Sequence, residues 1–222
     1  MTTQIVLLLL WGTVVGLDLV SVGQSMFSRP LVAATVAGVV LGDPMAGATV
    51  GAILELFALD VLPIGAVRYP DYGVGAVAAA ATAAHAPGAL GTGIAVCVGL
   101  AVAYIGERGM RLVRLGNTAD VRRFRNALDG GGVQAVVAIH TRGFFRDALR
   151  SLVVTALGLV LAFGVYRWSP VTLQGAVLVT VVVTGAALGS AAGGVMHAVG
   201  HGAGLRWFGF GLAGGLLWVV LT

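Results

Sequence analysis

The sequence predicts an all-α protein, a polytopic bundle of membrane helices in which broken or re-entrant helices surround a central polar site. Three observations predict it. The chain is 58% apolar and only 10% charged, with a mean hydropathy of +0.99, whereas soluble domains carry roughly 25% charged residues. The mostly apolar stretch from Phe27 to Tyr72 nevertheless holds Arg29, Asp43, Glu55, Asp60, Arg68 and Asp71, and it is interrupted at Gly42-Asp43-Pro44 and again near Pro63. Finally, nine of the thirteen arginines lie between 107 and 150, and arginine-rich connections stay in the cytoplasm by the positive-inside rule.

An ionised carboxylate in hydrocarbon is costly, so one placed there faces a water-filled cavity or the bundle interior. Glu55 sits in the run AGATVGAILELFAL with no charge in the ten residues before it, which makes it the first site candidate. Leu31 to Gly42 spans about 18 Å as a helix, short of a hydrocarbon core of about 30 Å. Asp43 is placed to cap the next helix and Pro44 to start it. Breaks of this kind are tolerated at membrane depth where protein or a cavity satisfies the freed backbone groups, and in transporters they surround the substrate.

Taken in order, the N-terminus predicts a first span from about Gln4 to Val22, without the basic start of a secretory signal. Asp18 and Gln24 read either as interfacial caps or, for Gln24, as an amide lining the polar site. Beyond Asp71, short Ala-rich Gly73–Ala84 and spanning Ala89–Gly106 flank a Pro87-Gly88 turn. Residues 107–150 form an Arg-rich cytoplasmic or interfacial segment, with an amphipathic helix expected between Val121 and His140. The segment serves topology and anionic-lipid contact, or docks soluble partners. Further spans follow over Gly143–Tyr166, Val171–Val195 and Phe208–Leu221, with Tyr166 and Trp168 as an interfacial belt and Ser169-Pro170 as a turn. The glycine spacings 38/42, 47/51 and 185/189/193 permit close helix crossing. One membrane domain, 1–222, accommodates all of this, with 27–72 as its broken-helix region.

Several functions are excluded at this level. The basic residues border spans without aromatic interleaving, which argues against nucleic acid. No Walker-type loop and no Ser-His-Asp arrangement is present. Cys97 is alone, so no intramolecular disulfide forms. His197 and His201 lack a third ligand nearby in sequence, and His85 reads as a loop residue; no metal and no cofactor is expected.

The run Gly38-Val-Val-Leu-Gly42-Asp43 with Gly47, Gly51 and Glu55, then Ile64-Gly65-Ala66 and Pro70-Asp71, resembles the core signature of the IIC subunit of mannose-type (mannose/fructose/sorbose) sugar phosphotransferase permeases. Ser28-Arg29-Pro30 matches the residues just ahead of it, and weaker similarity continues through Ala127-Leu128-Asp129 and from Ile139-His140 to Arg150. The resemblance is specific between Arg29 and Asp71 and faint after about Trp168. Asp60 stands where the family usually has glycine, Arg68-Tyr69 where it has small residues, and the C-terminus reads as one helix short.

The resemblance implies a multi-pass subunit of the inner (plasma) membrane that moves a hexose-like sugar while soluble IIA and IIB components phosphorylate it, in a trimer with a second membrane subunit, IID, amid the lipid bilayer. A sugar site needs acceptors and donors, so Glu55, Asp71 and Gln24 are the candidate substrate contacts. Asp60 and Arg68 are candidates for an ion pair or a substrate contact. Glu55 is the candidate to orient or deprotonate the attacking hydroxyl, with no phosphorylated residue on this chain. Two alternatives stay open: a IIC-like transporter not coupled to phosphorylation, and a membrane scaffold or sensor that transports nothing.

Overall fold

The computed structural model describes residues 2–60, 68–85, 89–168, 172–199 and 201–221. Within these, all regular structure is helical: α1 (Thr2–Asp18), α2 (Pro30–Leu41), α3 (Pro44–Ala58), α4 (Tyr72–Ala83), α5 (Ala89–Arg123), α6 (Arg125–Asp129), α7 (Val133–Trp168), α8 (Leu173–Val199) and α9 (His201–Leu221). Among the described residues, three stretches are long and apolar enough to cross a membrane: Gly91–Arg123, Val133–Val165 and Leu173–His197. The first four helices are shorter, at 12 to 17 residues.

The break between α2 and α3 forms for local reasons. Gly42 ends α2 at φ 87°, a left-handed conformation that glycine adopts without a Cβ penalty. Asp43 then accepts a hydrogen bond from the Ala46 amide at 2.9 Å, and Pro44 occupies the first helical position, where its missing N–H costs nothing. The two helices fold back on each other at very short range. A Cβ on Gly47 would collide with the Ala34 carbonyl, and one on Gly38 would lie 2.6 Å from the Asp43 carbonyl. Gly38, Gly47 and Gly51 therefore do close two helices together, while Gly42 makes the turn and meets nothing within 4 Å among the described residues. Any side chain at Gly38 or Gly47 would prise the hairpin open.

α4 is the axis of the bundle. All twelve of its residues, Tyr72 to Ala83, are buried, and it packs on α1, α2, α3, α5 and α7. Its Ala and Gly side chains allow that many neighbours to approach. α1 lies against α7, where Gly12 and Gly16 face Thr155 and Ser151, and it is tied to α2 by a 2.9 Å hydrogen bond from Trp11 Nε1 to the Ala33 carbonyl.

Four expectations change. α1 stops at Asp18 because the carboxylate turns to accept the Ser25 amide at 2.6 Å and the Ser28 amide at 2.9 Å, which folds the chain out of the helix. The segment 107–150 is not a separate surface helix: α5 continues unbroken to Arg123, and α7 begins at Val133. At 1.5 Å per residue each of these helices is about 52–54 Å long, so both overhang a 30 Å core. The expected amphipathic stretch, Val121–His140, is divided by the turn at Gly130–Gly132, with Gly131 at φ 75°. Gly185 and Gly189 meet nothing within 4 Å among the described residues, so their spacing closes no helix crossing there. His197 and His201 fall on successive helices, α8 and α9. The breaks near Pro63, Pro87-Gly88 and Ser169-Pro170 lie outside the described residues, as do the side chains of Tyr166 and Trp168.

Candidate functional site

Two arginine–carboxylate assemblies occupy the polar interior. The first lies at the start of the α2–α3 hairpin. Arg29, ahead of α2, pairs with Glu55 of α3, and Glu55 Oε2 also accepts the Leu31 amide at 3.2 Å. The side chains remain 35% and 19% exposed, respectively. A carboxylate has about four lone-pair sites, so Glu55 keeps acceptor capacity after both contacts.

The second assembly is sealed. Arg150 of α7 donates from Nη1 to Asp71 Oδ2 at 2.6 Å and from Nε to Asp147 Oδ1 at 2.8 Å. Its Nη2 donates to the Gly16 carbonyl of α1 at 3.2 Å and to Ser151 Oγ at 3.0 Å. The Arg150 and Asp71 side chains are 5% and 1% exposed. Asp147 takes a further bond from the Ser21 hydroxyl. Asp71 also caps α4, accepting the Val74 amide at 3.3 Å, and its own N–H donates to the Ala103 carbonyl of α5 at 3.0 Å. One guanidinium thus joins α1, α4, α5 and α7. Burying charge is costly unless each ion is paired and its remaining groups are hydrogen-bonded. No buried side-chain nitrogen or oxygen among the described residues lacks a partner.

The sequence-derived candidates separate accordingly. Glu55 is partly accessible at the open end of the α2–α3 hairpin; Asp71 is enclosed and committed to Arg150. Tyr69 lies between the two assemblies, within electrostatic range of Arg29, Glu55 and Asp71, with its ring edge-on to Tyr72 at 5.4 Å. Gln24 is exposed in the turn before α2, at φ 50°, and makes no hydrogen bond to either carboxylate among the described residues. Asp60 and Arg68 are both exposed, and no ion pair between them occurs among the described residues; the stretch between them, with Ile64-Gly65-Ala66, falls outside the described residues.

Arg150 and Asp147 were not singled out from the sequence. Their signal was present: a charged pair three residues apart, Asp147-x-x-Arg150, opening directly into the apolar run from Leu152. Grouped with eight other arginines, Arg150 read as part of a cytoplasmic surface. The structure assigns it to the interior.

The broken helices and enclosed charges match the signature read between Arg29 and Asp71, and comparison with known families agrees. Residues 2–209 match the family model described as "PTS system sorbose-specific iic component". The chain belongs to this IIC family. It is 32% identical over 149 residues to the "PTS system mannose-specific EIIC component" of Escherichia coli (strain K12), covering 67% of this chain and 55% of that protein. It is 32% identical over 154 residues to the "Fructose permease IIC component" of Bacillus subtilis (strain 168), covering 69% of this chain and 56% of the relative. The chain therefore spans just over half the length of these curated relatives. Among solved structures it resembles one described as "Structure of membrane protein", with a TM-score of 0.77, 23% identity and coverage of 100% of this chain and 94% of the other. A second, "CryoEM Structure of Mannose Transporter ManYZ and Microcin E492 (MceA) complex", matches with a TM-score of 0.61, 23% identity and coverage of 100% and 93%. Both support the fold. This IIC-family chain is accordingly a multi-pass protein of the inner (plasma) membrane.

Proposed function

We propose that this IIC-family chain is the sugar-translocating membrane subunit of a phosphoenolpyruvate-dependent phosphotransferase system, binding a hexose-like sugar while soluble IIA and IIB components phosphorylate it. Its membrane partner is a IID subunit, in a trimeric assembly. The observation that carries this reading is Glu55: a carboxylate in the last turn of the short helix α3, at the open end of the α2–α3 hairpin, held by Arg29 and the Leu31 amide, yet exposed enough to accept more. A sugar hydroxyl donating to it makes a charge-assisted contact of about 1.5–3 kcal/mol. The same carboxylate orients or deprotonates the hydroxyl that attacks the phosphoryl donor held by IIB. Gln24, exposed in the adjoining turn, contributes an amide to the sugar. Asp71 serves here as a positioning residue, fixing the start of α4 and the guanidinium of Arg150.

Uptake of labelled hexoses in cells co-expressing the partner subunits tests this. Glu55→Ala is expected to abolish uptake while the protein still reaches the membrane, and Glu55→Gln to retain sugar binding. Unchanged uptake in Glu55→Ala ends the case for a site there. The Arg-rich ends of α5 and α7 face the cytoplasm in this reading. Cysteines introduced between Arg108 and Arg125, in a Cys97→Ala background, are expected to react with impermeant reagents only from the cytoplasmic side. Labelling from the outer face reverses the topology.

A further inference from the structure

At the Arg-rich end of the bundle, between the turn after α1 and the α5–α7 hairpin, lies an open cleft of about 260 Å³. Val20, Ile139 and Phe144 form its apolar wall, and Ser21, Asn117 and His140 are its polar groups. It is separate from Glu55 and Arg29, neither of which lines it.

The hydrogen-bonding state of those groups restricts what they can hold. Arg146 donates to Asn117 Oδ1 at 2.6 Å. A guanidinium has donors only, so the Asn117 carbonyl must face it and the NH2 group, with two free donors, is directed elsewhere. The Ser21 hydroxyl proton is already given to Asp147. His140 is exposed and without a hydrogen-bond partner among the described residues; in either tautomer it offers at least one N–H. At least three side-chain donors therefore stay open in the cleft, two on Asn117 and one on His140, beside the acceptor capacity that Ser21 Oγ keeps. The positive charge lies on the Asn117 side: Arg146 and Arg142 both pair with Asp120, at 2.9 and 3.6 Å, two guanidinium groups against one carboxylate, whereas on the Ser21 side Asp147 and Asp71 share the one cation Arg150. Arg142 is further fixed with its guanidinium 5.1 Å from the Phe124 ring centroid.

We propose that this cleft binds a phosphoryl anion, with the Asn117 NH2 and a His140 ring N–H donating to its oxygens and the Arg142–Arg146 pair supplying the positive field. The open cleft has room for a phosphoryl group and part of a small polyol. The inference rests on this geometry alone. Loss of sugar uptake with intact phosphate binding would overturn the transport reading and leave this one standing.

The test is equilibrium binding of radiolabelled glucose 6-phosphate to the full-length chain in phosphatidylcholine nanodiscs. Saturable binding is expected. Asn117→Asp keeps the acceptor facing Arg146 but replaces both donors by an oxygen, and is expected to weaken binding at least about tenfold, the loss of one hydrogen bond to a charged group. His140→Leu, at an exposed position that folding does not depend on, is expected to weaken it several-fold, with His140→Gln restoring a donor and most of the affinity. Competition distinguishes the sources of the group. Equal displacement by inorganic phosphate identifies the free anion, and displacement on replacing phosphatidylcholine by phosphatidylglycerol identifies a lipid headgroup; both uphold a phosphoryl site. Absence of saturable binding, or binding unchanged in Asn117→Asp and His140→Leu, overturns it.

Discussion

Arg29–Glu55 and Arg150–Asp71–Asp147 use the same chemistry in opposite surroundings. In the first pair each partner keeps about a fifth to a third of its side chain exposed, and the two residues belong to a single helical hairpin. In the second, one cation stands between two carboxylates with almost no exposure, and its bonds reach four helices. An exposed pair contributes about 0–1 kcal/mol to folding and exchanges partners readily. A sealed one cannot lose a member without leaving a buried charge behind. The comparison teaches that membrane carboxylates in one short stretch need not share surroundings: Glu55 keeps open acceptor capacity beside its two contacts, whereas Asp71 is spent on holding helices together.

Substitutions sharpen or break that contrast. The largest effect is expected for Arg150→Met, which keeps an unbranched apolar stem but strands Asp71 and Asp147. Removing one partner of a buried pair costs about 3–5 kcal/mol, read as a lowered unfolding midpoint and a poor yield of membrane-inserted protein. Asp71→Asn comes next, at about 2 kcal/mol, because the amide oxygen still accepts from Arg150 and caps α4 while the ionic contribution is lost. The same unfolding assay measures it. Smallest is Glu55→Ala, with a stability loss within about 1 kcal/mol despite the expected loss of uptake. A Glu55→Ala protein as unstable as Arg150→Met would show that the two assemblies do the same structural work, and the contrast would fail.

The legible parts of the fold were those written in neighbouring residues. Gly42-Asp43-Pro44 states a helix end, a cap and a restart within three positions, and α2 ends and α3 begins within a residue of that reading. α4 was legible too, since an Ala-rich run too short to span can persist only when enclosed by other helices. The Arg-rich segment was misread in its shape. Nothing local stops α5 at Gly106: an i,i+4 contact between Glu107 and Arg111 at 3.6 Å carries the helix onward, and the glycines at 106, 109 and 116 sit where neighbouring side chains crowd the backbone. Among the candidate site residues, Glu55 stood out by its isolation in an apolar run. Arg150 was missed because its distinguishing feature is a partner 79 positions away.

By itself, then, the sequence determined that this is a membrane bundle with a broken hairpin and that acidic groups lie within it, since hydropathy, caps and breakers act over a few residues. Only the tertiary structure decided which acid is sealed and which is open. A carboxylate's role depends on whether a cation, a helix end or free space lies against it, and those neighbours come from segments that meet only when the chain has folded.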